Sequence, residues 1–301
     1  MLSRSRLQRD PNRITSLRLR AGDRKSADRT IRTACADDAR FLLGHIHRME
    51  GLTRQGEIRV REKVAVFDLD NTLLDGDLGE AVFAQRWKDG HPPSLTWTDY
   101  QECLREDVLT GYCKVVTAMD GLPLRTLDTA TQHVLSPASS DIEIEGEWVP
   151  VPHPNSRLLP LLRLLRHLDY RIILITSTNE ISARIAVSHW FGAFAPVVFG
   201  LRPHVEDDIV QGTLIEPLPL GEGKVDVYRR FVGNVRPLLT AGNSIHDLPF
   251  MRLTHDAGCS IWVGNDEEEA EIARRNLGTN RRLYRINAAD RSEFEEHGAD
   301  S

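Results

Sequence analysis

The sequence predicts an α/β fold, in which a doubly wound, Rossmann-like parallel sheet carries an inserted, mostly helical domain. Short apolar runs such as 64–67 and 171–176 are rich in β-branched residues, which is typical of strands buried on both faces of a parallel sheet. Such runs alternate with segments of helical periodicity, which indicates strand–helix–strand units. Residues 78–150 interrupt this alternation and predict the inserted domain.

Length and composition limit the class of protein. A chain of 301 residues with 41% hydrophobic residues can form one large core and a smaller inserted domain. Its net charge of -6 argues against a nucleic-acid-binding protein, because such proteins are usually basic. The four cysteines form no C-x-x-C pair, so we expect a reducing, cytoplasmic location without zinc or disulfides. No run approaches the roughly 18 apolar residues of a membrane span. We expect a monomer or homodimer without nucleic-acid or membrane partners.

Residues 1–62 predict a leader and a short helix. Residues 1–33 are rich in arginine and poor in apolar side chains, which predicts a disordered or loosely attached segment. A basic arm that contacts a partner is the alternative. Residues 36–50 have helical spacing, and the helix should pack on the body of the protein. Its apolar side consists of Phe41, Leu42, Ile46 and Met49.

The first predicted strand, 63–70, ends in the run Asp68-Leu69-Asp70-Asn71-Thr72. Alternation places Asp68 and Asp70 on the same side of an extended chain, at the edge where parallel sheets bind ligands. Two like charges held this close are costly unless a cation lies between them. The pair therefore indicates a cation site, although one such motif alone is also typical of a strand end followed by an Asp-rich turn.

The remaining elements are predicted in chain order. Within the inserted domain, helical periodicity predicts helices over 78–87, 100–117 and 124–134, and residues 141–149 predict a hairpin or a loop. The core comprises 63–77 and 151–301. Its further strands are predicted over 171–176, 196–199, 238–241 and 261–263, with another extended piece at 211–217. Its helices are predicted over 158–168, 180–190 and 223–231, with a last helix beginning at 266.

Polar side chains follow several of these strands or open the helices. Thr176 ends the second strand, Lys224 lies in a first helical turn, and Asn243 and Asp247 follow the fourth strand. They should converge with the two acids of the first strand, because the carboxyl ends of parallel strands share one edge. Such a set of groups suits a phosphoryl group. Two acids and a magnesium ion can hold and attack it, a hydroxyl and helix N–H groups can bind its oxygens, and a lysine supplies positive charge.

The order of these motifs resembles the haloacid dehalogenase (HAD) superfamily of phosphohydrolases over residues 64–265. The motifs are the run 68–72, the run 174–178, Lys224 and Gly242-Asn243-Ser244-Ile245-His246-Asp247. The resemblance implies that Asp68 attacks phosphorus and that Asp70 acts as general acid and base. It further implies phosphoryl contacts from Thr176, Ser177 and Lys224. Magnesium would be held by Asp68, Asp70 and a side chain of the last motif, Asn243 or Asp247.

Asn243 is a departure, because the family most often has an aspartate there. An amide oxygen can bind magnesium but brings no charge, so we expect a weaker metal site. The resemblance and the presence of Asp70 favour hydrolysis of a phosphomonoester over dehalogenation. A phosphotransferase or mutase using the same site, and a non-catalytic phosphate-ligand binder, are the alternatives.

The inserted domain lies where this superfamily has a mobile cap, and it resembles the helical cap of the phosphoserine-phosphatase-like branch. Such a cap implies a small-molecule phosphoester as substrate. The run Asp77-Leu78-Gly79-Glu80 resembles that of phosphoserine and phosphorylcholine phosphatases, whose acids meet a substrate amine. Stabilisation of a helix N-terminus by acids is the other explanation. Aromatic residues of the insert could pack on the core or line a pocket, and packing is favoured for Trp87, Trp97, Tyr100 and Tyr112.

Overall fold

The structure is a computed structural model that describes residues 42, 44–51, 62–278 and 282–286. Its centre is a sheet of six parallel strands. In spatial order these are β12 (Leu283–Ile286), β11 (Cys259–Val263), β10 (Leu239–Gly242), β1 (Val64–Phe67), β6 (Arg171–Asn179) and β7 (Val197–Leu201). Because β1 lies between β6 and β10, the direction of the crossovers reverses beside it, and open parallel sheets bind ligands at such a point.

Helices and buried apolar side chains cover both faces of this sheet. Ala65 and Phe67 of β1 belong to one apolar cluster, and Val64 and Val66 belong to the other, as alternation along a strand requires. The first cluster includes helices α1 (residues 44–51), α6 (Leu159–His167) and α7 (Glu180–Phe191). The second includes α8 (Gly223–Phe231), α9 (Leu248–Met251) and α10 (Glu267–Leu277). The predicted doubly wound fold class is confirmed.

The predicted insert consists of helices and one hairpin. Its elements are α2 (Leu78–Lys88), α3 (Trp97–Glu106), α4 (Val108–Thr117), α5 (Leu124–Leu135), β3 (Ile142–Ile144) and β4 (Glu147–Val149). The strands before and after it, β2 (Leu74–Asp75) and β5 (His153–Pro154), pair antiparallel. The chain therefore enters and leaves the insert at neighbouring points of the core. The bounds of a separate domain at 78 and 150 remain a prediction.

The prediction of one helical segment over 100–117 is wrong, because Asp107 divides it into α3 and α4. Asp107 has extended backbone angles, with φ -154° and ψ 107°, and its side chain accepts a hydrogen bond from the N–H of Leu109. An aspartate that bonds a nearby backbone N–H favours the start of a new helix. Periodicity alone did not reveal the break, since apolar residues continue on both sides of it.

One hairpin was predicted only in its second strand, which overlaps the extended piece over 211–217, and the last strand of the sheet was missed. The hairpin joins β8 (Pro203–Glu206) to β9 (Ile209–Leu214) through Asp207 and Asp208, both of which have positive φ. Aspartate adopts this conformation less readily than glycine, so the turn signal in the sequence is weak. The hairpin contacts the insert, because the Val210 N–H donates to the Leu122 carbonyl at 2.9 Å.

The described part of the N-terminal segment is helical, as predicted. In α1, Glu50 forms an ion pair with Lys63 at 3.1 Å, which connects this helix to the start of β1. Residues 1–41 and 43, including the arginine-rich segment, lie outside the described residues. Among the described helices, none has the length and apolar character needed to span a bilayer.

Candidate active site

A cleft of about 780 Å³ opens at the carboxyl end of β1. The N–H of Asp68 donates to the Ala241 carbonyl at 2.9 Å, which fixes the end of β1 against β10. The chain then turns through Leu69–Leu73 and brings Asp70 to the same cleft. The sequence-predicted residues that line it are Asp68, Asp70, Asp77, Ser177, Lys224, Asn243 and Asp247. The expected convergence at one edge of the sheet is therefore observed.

Lys224 lies between two buried carboxylates. Its Nζ is 2.7 Å from Asp68 Oδ1 and 2.7 Å from Asp247 Oδ1. Burial alone would lower the pKa of Lys224, but the charges of Asp247 and Asp68 outweigh burial and raise this pKa. Lys224 is therefore protonated, and it supplies part of the positive charge that the paired acids require.

The site has an excess of negative charge. Burial raises the pKa of Asp68, the ammonium of Lys224 opposes this rise, and the carboxylates of Asp247 and Asp70 add to it. Asp68 and Asp247 thus share one buried lysine, and the carboxylate of Asp70 lies near Asp68 without an ion pair of its own among the described residues. An arrangement of this kind favours the binding of a further cation.

Asp247 organises the loop that follows β10. Its Oδ2 accepts hydrogen bonds from the N–H groups of Asn243 and Ser244, both at 3.0 Å, and from Ser244 Oγ at 3.1 Å. A Cβ atom at Gly242 would lie 2.5 Å from the Asp247 Cβ, so this close approach requires glycine. The Asn243 amide reaches the turn after β1, where Asn243 Oδ1 accepts a hydrogen bond from Thr72 Oγ1 at 3.2 Å.

Asp70 is held by three donors. Its Oδ2 accepts hydrogen bonds from Thr176 Oγ1 at 2.7 Å and Thr178 Oγ1 at 2.8 Å, and its Oδ1 accepts from the Leu78 N–H at 2.8 Å. Thr176 is fully buried, so its hydroxyl contacts Asp70 and not the open cleft. Ser177 does line the cleft, and its hydroxyl donates to the Pro219 carbonyl at 3.2 Å. The phosphoryl contacts expected of Thr176 and Ser177 remain predictions.

The insert supplies further acids at the other end of the cleft. Asp77 accepts a hydrogen bond from the Glu80 N–H at 2.9 Å and so begins α2. Asp77 also lines the cleft, and Glu80 lines a small cavity beside it. Within the described part of the chain, no lysine, arginine or histidine forms an ion pair with either acid. Asp77 therefore both caps α2 and lines the cleft.

The aromatic residues of the insert divide between packing and the cleft. Trp97 and Tyr100 are buried against Phe83, with ring centroids 5.4–5.8 Å apart, and Trp87 packs on the main apolar cluster. Tyr112 instead lines the cleft, together with Val108 of the same helix. Packing was thus the correct interpretation for Trp87 and Trp97. Tyr100 both packs and donates a hydrogen bond to Glu80 at 3.0 Å.

Several residues at the cleft were not singled out from the sequence. Thr178 follows Thr176 by two positions, so strand alternation could have placed the two hydroxyls together. His246, which lies within the last motif, also lines the cleft. Trp262, Glu269 and Ile272 also line it. They come from β11 and α10. They reach the cleft because of how these two elements pack on the core, and no local sequence motif indicates that packing.

Replacing Asp77 with asparagine should stabilise the protein at about pH 8 and have a smaller effect at about pH 5. Burial raises the pKa of Asp77 well above its ordinary value, and the charges of Asp70 and Glu80 raise it further. Such a carboxyl contributes stability below its unfolded-state pKa, and this contribution is lost as the pH rises through the folded-state pKa. Asparagine has no charge and can still cap α2. We expect a gain of about 1 kcal/mol, or about 2 °C in Tm, near pH 8. Thermal unfolding of wild type and Asp77→Asn at both pH values measures this gain. An equal change in Tm at pH 5 and pH 8 would contradict the prediction.

Comparison with known proteins agrees with this geometry. The profile of the haloacid dehalogenase-like hydrolase family matches residues 65–252. A protein of unknown function from Bordetella pertussis Tohama I is 18% identical with a TM-score of 0.53, over 74% of this chain and 98% of that one. A substrate-bound phosphoserine phosphatase is 12% identical with a TM-score of 0.51, over 79% and 99%. A probable phosphoserine phosphatase from Vibrio cholerae is 10% identical with a TM-score of 0.51, over 77% and 63%. At these identities the structures share the fold with this chain. A search of curated proteins found no match.

Proposed function

This chain belongs to the haloacid dehalogenase-like hydrolase family, and from that premise we propose that it is a magnesium-dependent phosphatase of small phosphomonoesters. One observation carries the proposal. Lys224 bridges Asp68 and Asp247 at 2.7 Å each, and the carboxylate of Asp70 is held in the same cleft. A nucleophile, an acid–base group and a buried cation are the groups that a phosphoryl transfer requires from its protein.

The two acids that follow β1 divide the chemistry between them. Asp68 attacks phosphorus, the bond from phosphorus to the leaving oxygen breaks, and an aspartyl-phosphate forms. Asp70 protonates the leaving alcohol oxygen and then accepts a proton from the water that hydrolyses the intermediate. Lys224 offsets the charge that develops on the phosphoryl oxygens. This assignment makes a carboxylate of the chain, and not water, the first nucleophile.

The donor set beside Asp68 fits magnesium. Asp68 Oδ2 and Asn243 Oδ1 each lie 3.2 Å from Thr72 Oγ1, so two hard oxygen ligands flank one hydroxyl. Magnesium is commonly held by one or two carboxylates together with other oxygens and waters. The described residues contain no cluster of three or more His, Cys, Asp or Glu in metal-binding geometry, so the proposed set draws on an amide oxygen and a backbone carbonyl beside the carboxylate. Bound there, the ion would supply positive charge to the phosphoryl oxygens.

Asn243, and not Asp247, is the direct ligand in this proposal. Asp247 is fully buried and accepts four hydrogen bonds, from Lys224 and from the loop that it shapes. Both residues line the cleft, but the oxygens of Asp247 are already engaged, whereas Asn243 is partly exposed. The backbone carbonyl of Asp70 completes the proposed set.

The insert acts as a cap that selects a leaving group with an amine. Asp77 and Glu80 place two carboxyl groups beside the cleft without a cationic partner among the described side chains. Burial raises the pKa of both groups, so a cation bound beside them would favour their ionised forms. A substrate ammonium would provide that partner, and the ring of Tyr112 at the same place can face a cation favourably. Phosphocholine, phosphoserine and phosphoethanolamine have this chemistry.

Hydrolysis of a panel of phosphoesters tests this function. The panel pairs these three amines with glycerol phosphate and sugar phosphates, and free phosphate is measured with wild type and Asp77→Asn. We expect activity that disappears with a chelator and returns with magnesium. We also expect a preference for the amines that falls about tenfold in Asp77→Asn. For phosphoserine and phosphoethanolamine this is the effect of one charge-assisted hydrogen bond, and for phosphocholine, which has no N–H, it is the loss of charge attraction.

Each other outcome would contradict a different part of the proposal. Equal losses of activity on esters with and without an amine would remove Asp77 from amine recognition. Transfer of the phosphoryl group to an added alcohol, with no free phosphate, would indicate a phosphotransferase. No reaction with any ester in the presence of magnesium would contradict the catalytic function.

A further inference from the structure

The proton-transfer group of the proposed phosphatase is held on one side by a pair of hydroxyls. We propose that Thr178 is a positioning residue that fixes the Asp70 carboxylate, so that Oδ1 is the oxygen that exchanges the proton with the leaving group. This inference rests on the proposed function and adds a residue to it. Thr176 is 0% exposed, and Thr178 is 6% exposed at the edge of the cleft, so both hydroxyls are largely shielded from bulk water.

The two threonines saturate one oxygen of Asp70. Thr176 Oγ1 donates to Oδ2 at 2.7 Å and Thr178 Oγ1 donates to the same atom at 2.8 Å. A carboxylate oxygen has two lone pairs, and both are used. The Thr178 N–H also donates to Thr176 Oγ1 at 3.0 Å, which orients that hydroxyl so that its own proton points to Asp70. A proton on Oδ2 would have to displace one of these donors.

The other oxygen has room for the proton. Asp70 Oδ1 accepts a single hydrogen bond among the described groups, from the Leu78 N–H at 2.8 Å, so one lone pair remains. Asp70 lines the cleft. When the phosphorus–oxygen bond breaks, the proton on Oδ1 passes to the leaving alcohol oxygen, and the carboxylate that remains keeps all three donors. The protonated and ionised forms of Asp70 therefore need no rearrangement of the threonines.

Thr178 also lies between the core and the insert. A Cβ atom at Gly79, in the first turn of α2, would be 3.1 Å from Thr178 Oγ1. Leu78, the donor to Oδ1, is the first residue of that helix. The core thus holds one oxygen of Asp70 through the two threonines, and the insert holds the other through its backbone. The core and the insert together therefore fix the orientation of the Asp70 carboxylate.

The dependence of rate on the leaving group tests the role of Thr178. Thr178→Val removes the hydroxyl and keeps the branched shape that suits a strand, whereas Thr178→Ser keeps the hydroxyl. For each variant, kcat/KM is measured with aryl phosphates whose phenols become steadily more basic, and with an alkyl phosphate. Asp70→Asn serves as the reference for complete loss of the acid.

A good leaving group such as p-nitrophenolate departs without a proton, so a misplaced acid affects it little. We expect Thr178→Val to lose about tenfold on the alkyl phosphate and much less on p-nitrophenyl phosphate, since full general acid catalysis contributes about a hundredfold or more. Thr178→Ser should behave like wild type. If circular dichroism shows that Thr178→Val folds poorly, Thr178→Ala is compared with Thr178→Ser instead. The quantity compared is again the dependence of kcat/KM on the basicity of the leaving group.

Two failures can be told apart. A wild-type protein that hydrolyses none of the esters contradicts the phosphatase function, and the role of Thr178 with it. An active wild type with a Thr178→Val variant that loses equally on all leaving groups, or loses nothing, contradicts the positioning role alone.

Discussion

Asp68→Asn should abolish turnover and leave the fold intact. The carboxylate is the proposed nucleophile, and an amide cannot form the acyl phosphate. We expect kcat to fall by at least about a thousandfold, as when other enzymes lose a nucleophile. Asparagine can still accept from Lys224, which lies 2.7 Å from Asp68 Oδ1. The measurements are phosphate release in the presence of magnesium and the far-UV circular dichroism of the variant.

Asp128→Asn is the matched control, because Asp128 is an exposed aspartate on α5 outside the cleft. It should keep wild-type activity, since surface substitutions of this kind change little. A folded Asp68→Asn variant that kept a substantial share of wild-type activity would remove Asp68 from the role of nucleophile.

Lys224→Met should cause the largest loss of stability. The substitution leaves Asp68 and Asp247 facing each other in a buried site without their shared cation. Removing one partner of a buried ion pair typically costs about 3–5 kcal/mol. We expect a loss of that size near neutral pH in denaturant unfolding, together with loss of phosphatase activity.

The double variant Lys224→Met/Asp247→Asn separates charge from packing. Asparagine removes one of the two stranded charges, so the double variant should be more stable than Lys224→Met alone, which a double-mutant cycle would show. Lys88→Met, at the exposed end of α2, should stay within about 0.5 kcal/mol of wild type. A Lys224→Met variant as stable as this control would show that the buried bridge is energetically unimportant.

The central sheet and the convergence of its polar residues could be predicted from local patterns. In β1 the run of apolar residues ends abruptly at Asp68, and the strand alternation places Asp70 beside it. Lys224 could be placed because the helix over 223–231 begins directly before it, and that helix has the predicted bounds. Each of these inferences needs only the period of a strand or a helix and the rule that parallel strands end at one edge.

Other features depend on three-dimensional packing. Nothing near Asp70 in the sequence indicates that Thr178, more than a hundred residues later, donates to its carboxylate. Likewise, the proposal that Asn243 and not Asp247 is the metal ligand rests on the contacts of Asp247 with Lys224 and with its own loop, which the sequence does not indicate. These contacts are set by the register of β6 and β10 against β1 and by the close approach at Gly242.

Trapping the phosphorylated enzyme tests the central claim most directly. The protein would be incubated with magnesium and a hydrolysed ester, quenched, reduced with borohydride and digested for mass spectrometry. Reduction converts an aspartyl-phosphate into homoserine, so the modified residue is identified by its mass. We predict homoserine at position 68, in wild type and not in Asp68→Asn. Continued turnover with Asp68 unmodified, or with the phosphoryl group on another side chain such as His246, would contradict the account.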